Sequence, residues 1–355
     1  MTRETLYLRP IGLLYGAAAD AAVAEGVALP LAGGPIAFAA AELIEGEAGS
    51  AKRQIFTARA LAETRDADLI ELLKRVTSPR PPFAGIALDR PVLMGIVNVT
   101  PDSFSDGGLF DSKEDAIAHA AELANAGAAI IDIGGESTRP GSDPTEAGQE
   151  GTRVLPVVTG LKGISAVISI DTRKASVARA AAKAGAKIFN DVSALTYDEQ
   201  SLDAARETGL AVVLMHAQGE PKTMQDDPRY ADVVLDVFDY LEGRIETAVA
   251  AGIDRSRIAA DPGLGFGKTL GHNLALLAHT SLLHGLGVPL LIGASRKRFI
   301  QGVAGGAAPQ TREPGSQAAA IVAAAQGAQI LRVHDVAGSR QALGVWRASA
   351  FGTEN

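Results

Sequence analysis

Val92-Leu93-Met94-Gly95-Ile96-Val97-Asn98-Val99-Thr100-Pro101-Asp102-Ser103-Phe104-Ser105-Asp106-Gly107-Gly108 joins an apolar run to a polar loop. The run at 92–99 has the length and β-branched content of a buried strand. Pro101 and the Gly107-Gly108 pair prevent the strand from continuing. Asn98, Asp102 and Asp106 therefore stand at or just beyond a strand end, where the chain turns into a glycine-terminated loop.

The same grammar repeats downstream. Further strand candidates lie at 129–133, 167–170, 187–190, 211–215, 258–260, 289–292 and 330–333. Helical stretches alternate with them at 113–126, 145–161, 174–184, 201–207, 231–251, 272–283, 315–326 and 340–350. Eight strand–helix repeats in about 260 residues predict an α/β TIM (β/α)8 barrel. A doubly wound open sheet is the alternative. It rarely runs to eight uninterrupted units, and no GxGxxG follows the first strand.

Barrel enzymes place their chemistry at the C-terminal ends of the strands. Here the first strand stops at Asn98, and the second contains Asp132 and runs into Gly134-Gly135-Glu136-Ser137-Thr138-Arg139-Pro140-Gly141. The third to sixth end at Asp171-Thr172, Asn190-Asp191, Met215-His216 and Asp261-Pro262-Gly263. The seventh leads to Ser295-Arg296-Lys297 and the eighth to Arg332-Val333-His334-Asp335. Helix capping accounts readily for any one of these aspartates, but not for a polar residue at every strand end. Asp171, Asn190 and Asp261 suit a ring with adjacent N–H groups, and Lys297 a ring carbonyl or nitrogen. Arg332 and His334, two apart on one strand, share a side and could clamp a phosphate; a salt bridge at the barrel edge is the competing reading. Asn98 is a neutral oxygen donor of the kind Mg²⁺ takes when phosphate and water supply its other ligands.

Composition bounds the rest. With 355 residues, 47% hydrophobic and 21% charged, the chain can build a large core. It has no cysteine, which excludes disulfides, thiolate zinc sites and cysteine nucleophiles. A net charge of -8 argues against a nucleic-acid partner, though not against an anionic small molecule. The apolar stretch 11–24 is interrupted by Asp20 and lacks a basic leader, so neither a membrane span nor a secretion signal is expected, and the cytoplasm is the default location.

The prolines of 79–91 mark a connector. Residues 1–78 before it read as a small N-terminal α/β extension, with strands near 6–8 and 36–38 and helices near 17–24 and 67–76. Ile36, Phe38, Leu43 and Ile55 are expected to form its apolar faces. No catalytic constellation is visible in it. Its expected role is structural, covering barrel helices or extending a dimer contact. The barrel itself occupies 92–355.

From 92 to about 350 the chain resembles bacterial dihydropteroate synthases, motif after motif in order. The opening stretch is nearly their first signature. Ile131-Asp132-Ile133-Gly134-Gly135-Glu136-Ser137-Thr138-Arg139-Pro140-Gly141, Asp261-Pro262-Gly263-Leu264-Gly265-Phe266-Gly267-Lys268 and Ser295-Arg296-Lys297 follow. The resemblance implies condensation of 4-aminobenzoate with a dihydropterin diphosphate. It places Asp171, Asn190, Met215, Asp261, Phe266 and Lys297 around the pterin and Asn98 on Mg²⁺. Thr138, Arg332, Val333 and His334 fall to the diphosphate; Phe104, Arg139, Pro140 and Ser295 fall to the aminobenzoate. Asp106, Lys297, Arg332 and His334 are the candidate catalytic groups. Sulfonamide binding and a homodimer are also implied. Leu264 stands where a Phe is common, and Arg173 where a small or polar residue is usual. The extension is absent from the common bacterial form. A pterin-binding methyltransferase or a non-catalytic paralogue are the alternatives. The first is disfavoured by Ser295-Arg296-Lys297 and the second by the presence of Asp102, Phe104, Asp106, Thr138 and Arg139.

Overall fold

A computed structural model describes residues 5–99, 112–137, 142–220 and 222–353. The N-terminal part is a sheet with its own core. Strand β1 (Leu6–Leu14) pairs antiparallel along the whole of β3 (Ala37–Glu45), from Leu6↔Glu45 to Leu14↔Ala37. On the other edge of β3 lie the two-residue β2 (Leu29–Pro30) and β4 (Lys52–Thr57). Helix α1 (Gly16–Ala24) follows β1, and α2 (Ala58–Ala62) and α3 (Ala67–Thr77) follow β4. Asp66 caps α3 by accepting from the N–H groups of Asp68 and Leu69. Leu69, Leu72 and Val76 share one face of that helix, and pack with Leu8, Leu31, Ile36, Phe38, Leu43 and Leu61.

Both expected strands and both expected helices are present, and the strands are longer than read. Strand β4 was not legible because it is an edge strand with almost no buried face. Its charged Lys52 and Arg53 hide the period-two pattern while protecting the edge from pairing with another chain. Ile55 on it is 66% exposed, so it does not join Ile36, Phe38 and Leu43 in an apolar face.

The connector does more than span a gap. Phe83 is fully buried among Met94, Ile130, Ile188, Val213, Ala259, Leu291 and Ile330, the inward residues near the strand starts. It plugs the N-terminal end of the barrel.

The eight barrel strands are β5 (Val92–Asn98), β6 (Ile130–Gly134), β7 (Val167–Asp171), β8 (Ile188–Asp191), β9 (Ala211–Met215), β10 (Ile258–Asp261), β11 (Leu291–Ile292) and β12 (Ile330–Val333). All pair in parallel, in the order β10-β9-β8-β7-β6-β5-β12-β11, and a bridge between Ala260 and Leu290 closes the ring. Around it stand α4 (Lys113–Ala126), α5 (Ala147–Gly160), α6 (Ala175–Ala184), α7 (Ser201–Thr208), α8 (Val233–Ala250), α9 (Leu270–Ala278), α10 (Arg298–Ala304), α11 (Glu313–Ala325) and α12 (Val336–Phe351). The helix expected over 272–283 breaks after Ala278 into a 3-10 segment, Thr280–Leu286. The Thr280 hydroxyl bonds the Leu276 and Leu277 carbonyls there, and Gly287 ends the segment at φ +69°. Helix α10 is an extra turn after β11, stopped by Gly305 and Gly306, both at positive φ.

The N-terminal sheet lies on the barrel wall. Tyr7 donates to Asp239 at 2.8 Å and meets the Phe238 ring edge-on at 5.3 Å. Arg75 pairs with Glu242 at 2.6 Å and Arg53 with Asp232 at 2.7 Å. The Ser281 hydroxyl donates to the Pro10 carbonyl, Tyr15 to that of Ala325, and Arg80 to that of His284. Asp232 is the N-cap of α8, so the sheet reaches from the plugged end of the barrel up to the rim where the strands end. None of the helices, among the described residues, is long and apolar enough to cross a membrane.

Candidate active site

Alternation along each strand decides which residues enter the barrel mouth. In β6, Ile131 and Ile133 face the helix layer, while Ile130, Asp132 and Gly134 face inward. Asp132 is fully buried, and two groups from distant strands converge on one of its oxygens. Arg332 Nε donates to Asp132 Oδ2 at 2.6 Å, and Asn190 Nδ2 donates to the same atom at 3.0 Å. Arg332 Nη2 donates to Asp171 Oδ2 at 2.8 Å. One guanidinium thus links β6, β7 and β12 across the mouth, with the Arg332 side chain 21% exposed and that of Asp171 14%.

Gly134 lies between Asp171 and Asn98: a Cβ there would stand 3.5 Å from Asp171 Cβ and 3.7 Å from Asn98 Oδ1, in ordinary contact with both. Across the mouth, Asp261 Oδ1 accepts from the Gly263 N–H at 2.7 Å. Burial holds both Asp171 and Asp261 above the usual carboxylate range; Arg332 opposes the shift at Asp171 and Lys297 at Asp261. Burial alone would lower Arg332, but Asp132 and Asp171 outweigh it and raise the guanidinium further.

Lys297 enters from the loop after β11. Its ammonium donates to the Leu264 carbonyl and sits 4.6 Å from the centre of the Phe266 ring. Burial pulls it down to about 8, opposed by Asp261. Arg296, just before it, adopts φ +60°, a left-handed conformation uncommon outside glycine. Its N–H donates to Ser316, its side chain pairs with Glu313, and Arg312 donates to its carbonyl. These three contacts hold the strained residue and aim Ser295 and Lys297 to opposite duties. Ser295 Oγ lies 2.9 Å from His334 Nδ1 and accepts the His334 backbone N–H at 3.2 Å.

Phe266 belongs to a loop pressed against the end of β9. A Cβ on Gly263 would meet the His216 carbonyl oxygen at 1.9 Å, and one on Gly267 the Gln218 carbonyl at 2.2 Å, so both must be glycine. Lys268 pins this loop. Its Nζ lies 2.8 Å from His216 Nδ1 and donates to the Phe266 carbonyl at 3.1 Å. Burial pulls Lys268 down to about 7 and His216 to about 3. Met215 is buried at the β9 end, against the position a Gly263 side chain would take.

Asn98, Asp171, Asn190, Met215, Asp261, Phe266, Ser295, Lys297, Arg332 and His334 all stand at the strand ends or in the loops that follow them. Val333 packs in the apolar layer behind the strands, so its side chain does not enter the mouth. Phe104, Asp106, Thr138, Arg139 and Pro140 lie outside the described residues. Sequence reading missed Asp132 as the hub, although its inward parity with Ile130 was available. It also missed Lys268. Arg173 forms a two-point ion pair with Glu136, both bonds 3.0 Å, and stacks on Tyr197 at 3.9 Å. It therefore serves the rim rather than the mouth. Asp335 caps α12, as the simpler reading of such aspartates has it, while Asp191 accepts from the Ser193 and Leu195 N–H groups and closes the turn after β8.

A barrel whose mouth gathers buried carboxylates, an amide, a lysine and an arginine matches the family described as pterin binding enzyme, over residues 94–334. The chain belongs to this family, on the dihydropteroate synthase branch. It is 48% identical over 269 residues to the dihydropteroate synthase of Escherichia coli K12, covering 76% of this chain and 95% of that one. It is similar to the Yersinia pestis dihydropteroate synthase solved in a sulfonamide drug complex, with TM-score 0.72 and 48% identity over 74% of this chain and 96% of that one. The Xanthomonas albilineans dihydropteroate synthase solved with 4-aminobenzoic acid aligns at TM-score 0.71 and 49% identity, over 77% and 98%.

Proposed function

We propose that this chain is a dihydropteroate synthase, joining 4-aminobenzoate to (7,8-dihydropterin-6-yl)methyl diphosphate and releasing diphosphate. The observation that carries this reading is the Asp132–Arg332–Asp171 bridge, with Asn190, Asp261 and Lys297 around it, in a chain so similar to enzymes of that name. Asp171 and Asp261 accept from ring N–H groups of the pterin, and Asn190 offers an amide beside them. Lys297 donates to the ring while Phe266 lies against it. Arg332 spends two of its five N–H groups on the carboxylates, which leaves donors for a phosphate oxygen. His334, oriented by Ser295, stands beside that end.

In the reaction the methylene–oxygen bond to diphosphate breaks, the aniline nitrogen bonds to the methylene carbon, and the nitrogen loses a proton. Ring nitrogen lone pairs stabilise positive charge on the methylene, and the carboxylates Asp171 and Asp261 reinforce that. Arg332 and His334 meet the charge developing on the leaving group. The aniline nitrogen is nucleophilic when neutral, so no strong base is needed. On this reading Asp106 joins the carboxylates that stabilise the pterin cation, Thr138 serves the diphosphate, and Phe104, Arg139 and Pro140 serve the aminobenzoate. Sulfonamides, which resemble aminobenzoate, bind in its place.

A Mg²⁺ requirement fits the donors present. Among the described residues no group of three His, Asp or Glu side chains could hold a metal by themselves. Asn98 Oδ1 borders the space at Gly134, a hard neutral oxygen suited to a cation whose other ligands are diphosphate and water. When bound there, the ion would neutralise part of the diphosphate charge. Asn98→Ala should therefore raise the Mg²⁺ concentration giving half-maximal turnover; an unaltered requirement would move the ion elsewhere. The enzyme works as a homodimer in the cytoplasm on this reading.

Lys297 also sets a pH limit. Its lowered pKa means that the ammonium is lost as pH rises through about 8, well before an ordinary lysine would lose it. The free-enzyme kcat/KM for the pterin diphosphate should fall above that pH. In Lys297→Arg, which stays charged, residual activity should show no such alkaline limb, and a limb unchanged there would clear Lys297 of the titration. The proposal as a whole is tested by complementation. The gene should restore growth without folate products to a strain lacking its synthase, and failure by a well-expressed, soluble chain would count against it.

A further inference from the structure

The N-terminal sheet does more than cover helices. The structure assigns it a bracing role, in which it fixes the loop carrying Leu264 and Phe266 and thereby the position of Lys297. This rests on reading Lys297 and Phe266 as pterin contacts. The contacts run without a break from the sheet to the lysine.

They begin at β4. Arg53 Nη2 pairs with Asp232 Oδ2 at 2.7 Å, while Asp232 Oδ1 caps α8 by accepting from Val234 and Leu235. Next to it, the Cβ position of Gly49 lies 3.5 Å from Ala231 Cβ. Asp236 accepts from the N–H groups of Ala231 and Asp232, so the junction between loop and helix is fixed from both sides. Tyr7 and Arg75 grip the same helix further along, at Asp239 and Glu242.

The loop running into that junction reaches the active site. The Tyr230 hydroxyl donates to the Gly267 carbonyl at 2.7 Å, and Gln225 Nε2 donates to the Gly265 carbonyl at 2.6 Å. Gln218 binds both backbone groups of Arg229, closing the loop on itself, and its carbonyl touches Gly267. Gly265 in turn lies against the Lys297 side chain, 3.0 Å from its Cδ to the missing Cβ, and Leu264 accepts the ammonium. Two of the three backbone carbonyls at 265–267 are thus held by side chains that descend from the junction which Arg53 and Gly49 support. The sheet touches no substrate; its residues are positioning residues.

The test uses the full-length chain with Arg53→Ala, and Arg53→Lys as the conservative variant. For Arg53→Ala the KM for the pterin diphosphate should rise about two- to fivefold, the range of an exposed ion pair, with kcat unchanged. Arg53→Lys should restore most of that loss. Hydrogen exchange supplies a readout that needs no turnover. In Arg53→Ala the amides of Gly265 and Phe266 should exchange faster, while those of β6, across the barrel, keep their wild-type rates. Unchanged KM with unchanged exchange in 263–268 would overturn the inference. Faster exchange of β6 and the 263–268 loop alike would also overturn it, because that is general loosening. If the wild-type chain made no dihydropteroate, the functional reading would fail while the exchange experiment still decided the brace.

Discussion

Lys297→Ala is expected to lower kcat/KM for dihydropteroate formation by at least about 10²-fold, the scale at which losing a preorganised charged donor shows in turnover. The side chain meets the Leu264 carbonyl, the Phe266 ring and the field of Asp261, so no neighbouring group can take over its position. The fold should survive. An alanine removes one donor from the Leu264 carbonyl and leaves the barrel's apolar core as it is. Steady-state kinetics beside a melting curve would separate the two effects. Near-wild-type turnover would remove Lys297 from the pterin site.

Asp132→Ala should fail differently, in stability as well as turnover. Its carboxylate is fully buried and accepts from both Arg332 and Asn190, so its removal leaves a guanidinium nitrogen and an amide without an acceptor. Breaking a buried charged pair in this way costs about 3–5 kcal/mol. Arg332 would then lean on Asp171 alone, drawing the cation toward the pterin side and away from the diphosphate. A denaturant midpoint within error of wild type, or full activity, would contradict the hub assignment. Asp132→Asn should fall between, because it keeps the shape and loses the charge.

The barrel was legible because its strands are buried on both faces and its helices are amphipathic, so both periods stand out in the chain. Strand β4 was not, because it is an exposed edge whose pairing depends on β3 rather than on its own side chains. The break after Ala278 was also hidden. It goes with the Thr280 hydroxyl bonding back to the Leu276 and Leu277 carbonyls, and threonine occurs in many unbroken helices. In the site, the strand-end residues could be read as members but not as partners. Arg332 was read as a phosphate clamp or a salt bridge at the barrel edge, but its partner Asp132 stands two hundred positions away, which no spacing rule reveals. Lys268 escaped because its role is to tie down a loop carbonyl and a histidine, which leaves no motif of its own. The N-terminal sheet showed its elements in sequence but not its place on α8, since the wall it would cover is set by the tertiary fold.

The most direct test of the account is product formation by the purified chain. Given 4-aminobenzoate, the pterin diphosphate and Mg²⁺, it should release one diphosphate for each dihydropteroate formed, and a sulfonamide should inhibit in competition with 4-aminobenzoate. Folded protein that binds the pterin diphosphate yet forms no dihydropteroate under these conditions would contradict it.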